Sequence, residues 1–263
     1  MTMLQHIRSW LPGPVRVAVE APIRRLRKAL GYNRLHVRQA WKLAGRPMSV
    51  LVVGANVGED CARFAALGAR EIHGLDVIPN VGEAFQDARA TYHCVGIENS
   101  GLPSNAFDLV FATATMEHVH NIEAGFAEMA RLTKRGGVVW SLASPLWRSP
   151  YGHHMACFEG HPWVHLLYNE NELREYARDH SIQPAGIDET IRYMYNPIPF
   201  NRRPARDYIA SVKDVSDLAI IENRLYEVDP RSLNSPLGRK ALGKGFDSRE
   251  LLSETHYMAA RKL

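Results

Sequence analysis

The sequence predicts an α/β protein built on a doubly wound, mostly parallel sheet, and three observations carry that prediction. Short β-branched runs alternate with helix-period stretches between Met48 and Leu142. The runs are too continuously apolar for burial on one face, which marks strands covered by helices on both sides. The first run, Ser49 to Val53, passes through Gly54 directly into a helical pattern, the strand–turn–helix order that places a helix N-terminus beside a ligand.

The chain has 263 residues, 46% of them hydrophobic, enough for one main core with extensions. Residues 1–46 read as short helices separated by Pro12, Pro14, Pro22 and Gly31. They carry ten Lys or Arg against one acid, Glu20, a charge of +9, while the remainder holds 22 basic and 27 acidic residues, or −5. Ile23, Leu26 and Leu30 share one helical face opposite Arg24, Arg25, Arg27 and Lys28. This N-terminal extension is expected to be a helical lid, with docking on anionic lipid or an acidic partner as the alternative.

The main domain is expected over residues 47–263. Ser49–Val53 predicts a first strand, Glu59–Leu67 a helix with Cys61, Phe64 and Ala65 inward, and Glu71–Asp76 a second strand. A second helix is expected over Gly82–Ala90, a third strand over Thr91–Val95 and a fourth over Phe107–Ala112. Ile122–Leu132 predicts a helix closed by Gly136 and Gly137, and Gly137–Leu142 a fifth strand. Beyond Ser144 the pattern loosens. Insertions on the substrate side are expected at about 145–168 and 196–248, with a helix over Asn171–His180 and a last strand over Thr255–Lys262.

Composition excludes several classes. Cys61, Cys94 and Cys157 are scattered, without a CxxC pair, so neither a disulfide framework nor a cysteine zinc site is indicated, and a reducing cytoplasm is expected. No apolar stretch reaches the roughly 20 residues that span a bilayer. The body is acidic and carries no nucleic-acid-binding motif, so nucleic acid is not expected as a partner.

Gly54-Ala55-Asn56-Val57-Gly58 is a glycine turn running into a helix, where glycine permits positive φ and close backbone approach. It lacks the GxGxxG pattern of dinucleotide enzymes, because Asn56 stands at the middle glycine. Asp76 ends the second strand 22 positions after Gly54, where a carboxylate accepts ribose hydroxyls. Further blocks follow: Leu102-Pro103-Ser104-Asn105-Ala106-Phe107-Asp108-Leu109-Val110, Met116-Glu117-His118-Val119, Glu128-Met129-Ala130-Arg131-Leu132 and Lys134-Arg135-Gly136-Gly137.

From Val50 to Trp140 these blocks together resemble the class I, type 11 group of S-adenosylmethionine (SAM)-dependent methyltransferases. The resemblance implies a seven-stranded Rossmann-like sheet and SAM as cofactor. It implies that Gly54, Asn56 and Gly58 line the methionine part of SAM and that Asp76 holds the ribose. Glu98 and Asn99 would then meet the adenine edge, with Ala112 and Thr113 beside the methionyl ammonium. Two positions depart from the family: Val52, where an acid usually supports the amino-acid end, and Asn56, a residue that still tolerates left-handed backbone angles.

After the fifth strand, Ser144-Pro145-Leu146-Trp147-Arg148-Ser149-Pro150-Tyr151-Gly152-His153-His154 falls at the carboxyl edge that borders the ligand crevice of doubly wound sheets. The segment is similar to one in bacterial methyltransferases of glycan biosynthesis. Trp147, Tyr151, Phe158, Trp163 and Tyr168 are candidates for a substrate wall. His153, His154 and, in the Glu117-His118 pair, His118 are candidates for the base that a hydroxyl acceptor needs. His161 and His165 invite a metal reading, but no cysteine or paired carboxylate completes a set, and no metal is expected. The expected activity is methyl transfer to a small polar acceptor, a sugar hydroxyl or glycan precursor; a catalytically silent SAM-fold scaffold and an NAD-dependent oxidoreductase are the alternatives.

Overall fold

A computed structural model of the protein describes residues 32–263. The amphipathic run at Ile23–Leu30 lies outside the described residues. The sheet has seven strands: β1 (Ser49–Val53), β2 (Glu71–Asp76), β3 (Ala90–Cys94), β4 (Phe107–Thr113), β5 (Thr133–Ala143), β6 (Leu218–Glu227) and β7 (Ser253–Lys262), in the spatial order 3-2-1-4-5-7-6. The first five run parallel, and β7 is antiparallel to both β5 and β6. Parallel pairing puts the carboxyl ends of β1, β2, β4 and β5 on one edge.

Every residue of β1 is buried, as its uninterrupted apolar run requires. Its side chains alternate between two cores. Leu51 and Val53 join Val110, Ala112 and Val139 beneath α3 (Ile122–Leu132) and α7 (Ala205–Lys213). Val50 and Val52 join Leu109, Phe111, Val138 and Trp140 beneath α1 (Tyr32–Leu43) and α2 (Glu59–Leu67). This is the period-two alternation of a strand, read twice across a covered sheet. Phe111 stacks on Trp140 at 4.9 Å between ring centroids, a pairing worth about 0.5–1.5 kcal/mol beyond area burial. Helix α1 belongs to this core, since Val37 and Ala40 are fully buried in it. At the opposite edge the Asp108 carboxylate accepts from the Met48 and Ser49 N–H groups and pairs with Lys134, tying β4 and β5 to the start of β1.

The second helix expected at Gly82–Ala90 does not form, and the reason is local. The N–H groups of Gly82 and Ala84 donate to Asn56 O (2.8 Å) and Val57 O (2.9 Å) in place of intrahelical carbonyls. Tyr92 presses its ring into the space above Gly82, where a Cβ would lie 2.4 Å away. The segment is a run of turns strapped over the glycine turn. Strand β5 begins at Thr133, earlier than expected, because Gly136 (φ 76°) sits in an irregularity of the β4–β5 register that keeps the strand paired.

Beyond β5 the insertions are more regular than their composition suggests. They contain α4 (Val164–Leu167), α5 (Glu170–Asp179), α6 (Ile187–Tyr195), α7, α8 (Pro236–Gly243) and α9 (Ser248–Leu252). Asn169 and Glu172 form a capping box at the start of α5. Phe158, Val164, Leu173, Ile191 and Met194 make a separate small core that holds α5 and α6 together at the carboxyl edge.

Candidate active site

The chain leaves β1 through a tight turn in which the N–H groups of Gly54 and Ala55 both donate to Leu75 O. Gly54, Asn56 and Gly58 all have left-handed backbone angles, with φ of 72°, 47° and 99°. Asparagine at the middle position therefore preserves the conformation a glycine would supply. The two glycines also make room for side chains of the protein itself. A Cβ on Gly54 would lie 2.0 Å from Thr115 Oγ1, and one on Gly58 would lie 2.8 Å from the Tyr92 hydroxyl. Asp76 locks the turn from the next strand, its Oδ2 accepting from Asn56 N at 2.8 Å and its Oδ1 from Ile78 N at 3.3 Å.

The remaining cofactor candidates distribute along the same edge. Glu98 and Asn99 lie in a short 3-10 turn after β3, and Glu98 accepts from Asn121 N. Thr113 ends β4 with its hydroxyl buried and without a hydrogen-bond partner. Ala112 is different: its side chain is fully buried in the core below, so only its main chain can serve a ligand. Val52 is likewise core, which removes that position from any contact with the amino-acid end of a cofactor.

These features fit SAM. The turn places three left-handed residues over the start of α2, whose N-cap Gly58 gives no side-chain cap. A carboxylate stands fixed beside the turn at Asp76, and an unpartnered hydroxyl waits at Thr113. The donors and acceptors are those that an amino-acid end and a ribose would satisfy.

Two residues beyond Thr115, the loop after β4 carries Glu117 and His118. The loop is clamped from above by residues 198–201. Asn201 Nδ2 donates to Met116 O and Val119 O, both at 2.8 Å, Asn201 N donates to Glu117 O at 3.1 Å, and His118 Nδ1 donates to Pro199 O at 2.5 Å. Phe200 then packs on both His118 and His154, with ring centroids 5.5 and 4.9 Å away. His118 and His154, far apart in sequence, meet at 5.3 Å. His154 is held by donation from Nε2 to Pro145 O at 2.9 Å.

His153 goes elsewhere. Its side chain is buried among Tyr151, Phe158 and His165, and its Nδ1 accepts from Met155 N at 2.9 Å, which makes it a brace of the loop. The pair of adjacent histidines thus splits between two surroundings. His161 and His165 also separate: His161 meets the Tyr176 hydroxyl, and His165 is buried with Nε2 donating to Trp147 O at 2.6 Å. Burial pushes His165 down to about 4.

Glu117 is a candidate site residue that the sequence pattern did not single out. It is only 3% exposed, both carboxyl oxygens lack a hydrogen-bond partner, and burial pushes its pKa up to about 8 against the pull of the Glu117 and Ser144 main chain. The Met116-Glu117-His118-Val119 block was visible, but nothing in it separates a buried carboxyl from a solvated one.

Of the proposed aromatic wall, Phe158 and Trp163 are fully buried in small cores, while Tyr151 and Tyr168 line a cleft of about 1380 Å³. That cleft lies between α5 and the segment joining β6 to β7. Tyr176, Glu172, Glu175 and Lys240 contribute to its walls, and Lys240 Nζ sits 3.9 Å above the Tyr168 ring.

Residues 51–141 match the sequence model of a type 11 family described as a methyltransferase domain. Over that stretch the chain is similar to a class I methyltransferase domain. SAM is the cofactor that this similarity supports, and the turn geometry fits it. An uncharacterized methyltransferase of Mycobacteroides abscessus is 29% identical over 153 residues, 56% of this chain and 57% of the relative. A ubiquinone biosynthesis O-methyltransferase of Rhodopseudomonas palustris is 25% identical over 165 residues, 57% of this chain. The chain spans 57% and 63% of the lengths of these two relatives.

Among solved structures, the YcgJ protein of Bacillus subtilis has a TM-score of 0.53 at 14% identity, covering 86% of this chain and 97% of its own. A phosphoethanolamine N-methyltransferase of Haemonchus contortus, solved with phosphomonomethylethanolamine and S-adenosylhomocysteine, has a TM-score of 0.51 at 17% identity, covering 88% of this chain and 53% of its own. These likenesses concern the fold. Among the described residues no helix is long and apolar enough to cross a membrane.

Proposed function

We propose that this chain transfers a methyl group from SAM to a hydroxyl of a small polar acceptor, of the sugar or glycan-precursor class. The observation that carries the reading is the meeting of His118 and His154 on the carboxyl edge, next to the turn that fits the donor. When bound, SAM supplies a methyl group on a positively charged sulfur, open to displacement by an oxygen. The protein's part is to hold the acceptor in line and to take its proton.

Gly54, Asn56 and Gly58 give main-chain contact to the donor, and Asp76 is the acceptor of ribose hydroxyls. Thr113, Glu98 and Asn99 complete the donor side. On the acceptor side, a carbonyl can only accept, so the bond from His118 to Pro199 O fixes a proton on Nδ1 and leaves Nε2 as the basic nitrogen. His154 stands against it and is the second candidate base. His153 is the loop brace that orients its neighbour.

The acceptor class is supported by the cleft, whose carboxylates and other polar side chains suit hydrogen bonding to a polyhydroxy ring. Pro150 and Tyr151 in the cleft wall belong to the loop that carries His154, which links the two regions. Incubation with methyl-labelled SAM and a panel of sugars, nucleotide sugars, phenols and amines tests the reading. Label should appear first in hydroxyl-bearing sugars, and label confined to amines would refute the acceptor class.

A further inference from the structure

We propose that Glu117, His118 and His154 form a binding site for a divalent first-row transition-metal ion, zinc by its donor chemistry. One donor atom from each residue lies within 4.8 Å of the others. Around a tetrahedral zinc the donors stand about 3.4 Å apart, so side-chain rotations of about an ångström close the set.

Three independent features point to a cation. Glu117 brings a carboxyl group out of water with neither oxygen in a well-formed hydrogen bond, an arrangement that a bound cation would resolve. Each histidine donates its remote N–H to a main-chain carbonyl, His118 to Pro199 O and His154 to Pro145 O. This is the outer support that orients metal-ligating imidazoles, and it puts the lone pairs on His118 Nε2 and His154 Nδ1. The scaffold is also rigid: Asn201 holds the loop on either side of Glu117, and Phe200 covers both rings. Two imidazoles and a carboxylate with a position left open are the donor set of catalytic zinc sites.

The inference rests on the methyltransferase reading only for what the ion does. An open position would draw the acceptor's hydroxyl oxygen and ease loss of its proton to water, so that the two imidazoles would act through the ion in place of a free base. Binding itself requires neither donor nor acceptor.

The test uses the full chain, stripped with a chelator and titrated with Zn²⁺ by calorimetry and with Co²⁺ by visible absorption. One equivalent should bind, and His118→Ala, His154→Ala and Glu117→Gln should each weaken it on the order of a hundredfold. His118 is exposed, so its removal leaves the core intact and keeps the test decisive if the Glu117 variant fails to fold. His93→Ala, which breaks the His73–His93 pair on β2 and β3, should leave the affinity unchanged. Absence of saturable binding, or binding that survives His118→Ala and is lost with His93→Ala, overturns the site. SAM titrated into the same samples keeps the two ideas apart. SAM binding without metal binding removes the ion alone, and metal binding without SAM binding upholds the site while removing the methyltransferase reading.

Discussion

Replacing Gly54 by alanine sets a methyl group against the loop that follows β4. The new Cβ would lie 2.0 Å from Thr115 Oγ1, 2.6 Å from its Cγ2 and 2.8 Å from its Cβ, at a residue whose φ is 72°. A left-handed alanine costs about 1–2 kcal/mol by itself. Thr115 must also swing away, and its hydroxyl then loses the bonds to Val53 O (3.2 Å) and Thr113 O (3.0 Å), worth about another 1 kcal/mol. The total is about 2–3 kcal/mol, a fall in Tm of roughly 4–12 °C for a chain of this size. Urea titration followed by fluorescence reads it as a lower midpoint at constant slope. In a Thr115→Ala background two of the three clashing atoms are gone, and the cost of Gly54→Ala should shrink by about 1 kcal/mol. A change below about 0.5 kcal/mol, equal in both backgrounds, would refute the packing argument for the turn.

Three other outcomes follow from the same geometry. His118→Ala and His154→Ala should each lower kcat on the order of a hundredfold with SAM affinity intact, while His153→Ala should chiefly lower Tm; near-normal turnover in both of the first two would remove the base assignment. His256 is fully buried, donates from Nε2 to Asn223, and is pushed down to about 3 by burial. Its folded pKa is depressed, so the unfolded chain binds the proton first: stability holds above about pH 6.5 and falls by up to about 1.4 kcal/mol per pH unit below it, a slope that His256→Gln should reduce in urea titrations between pH 4 and 7. Deleting residues 1–46 removes Val37 and Ala40 from the core and uncovers Trp140, so the truncated chain should lose several kcal/mol; an unchanged unfolding midpoint would show α1 to be dispensable.

What was legible in the sequence was set by periodicity and by glycine. The strands at Ser49–Val53 and Glu71–Asp76 and the helices at Glu59–Leu67 and Ile122–Leu132 end where expected, because apolar runs and caps fix them locally. Strand β6 was invisible: as an edge strand it leaves Ile220, Ile221 and Tyr226 exposed, and its pattern has no clean alternation. The Gly82–Ala90 segment looked helical because sequence cannot show that its N–H groups are taken by Asn56 and Val57. The glycine turn and Asp76 were readable as a group, since their spacing is local to one βα unit. The joining of His118 to His154, close to the buried Glu117, depends on the strap at residues 198–201, which reaches the loop from some 80 positions away. For the adjacent histidines, periodicity could not show that His153 turns toward Phe158 and His165 while His154 meets His118.

The central claim is that the turn between Gly54 and Gly58, locked by Asp76, holds SAM. Calorimetric titration of the full chain with SAM, S-adenosylhomocysteine and NAD tests it most directly, repeated on Asp76→Ala. Loss of a charged acceptor that also anchors Asn56 N should cost about 1.5–3 kcal/mol, roughly a 10- to 150-fold rise in Kd. The account predicts one equivalent of SAM and of S-adenosylhomocysteine, no binding of NAD, and that loss in the variant. Binding of NAD, or SAM affinity indifferent to Asp76, would contradict it.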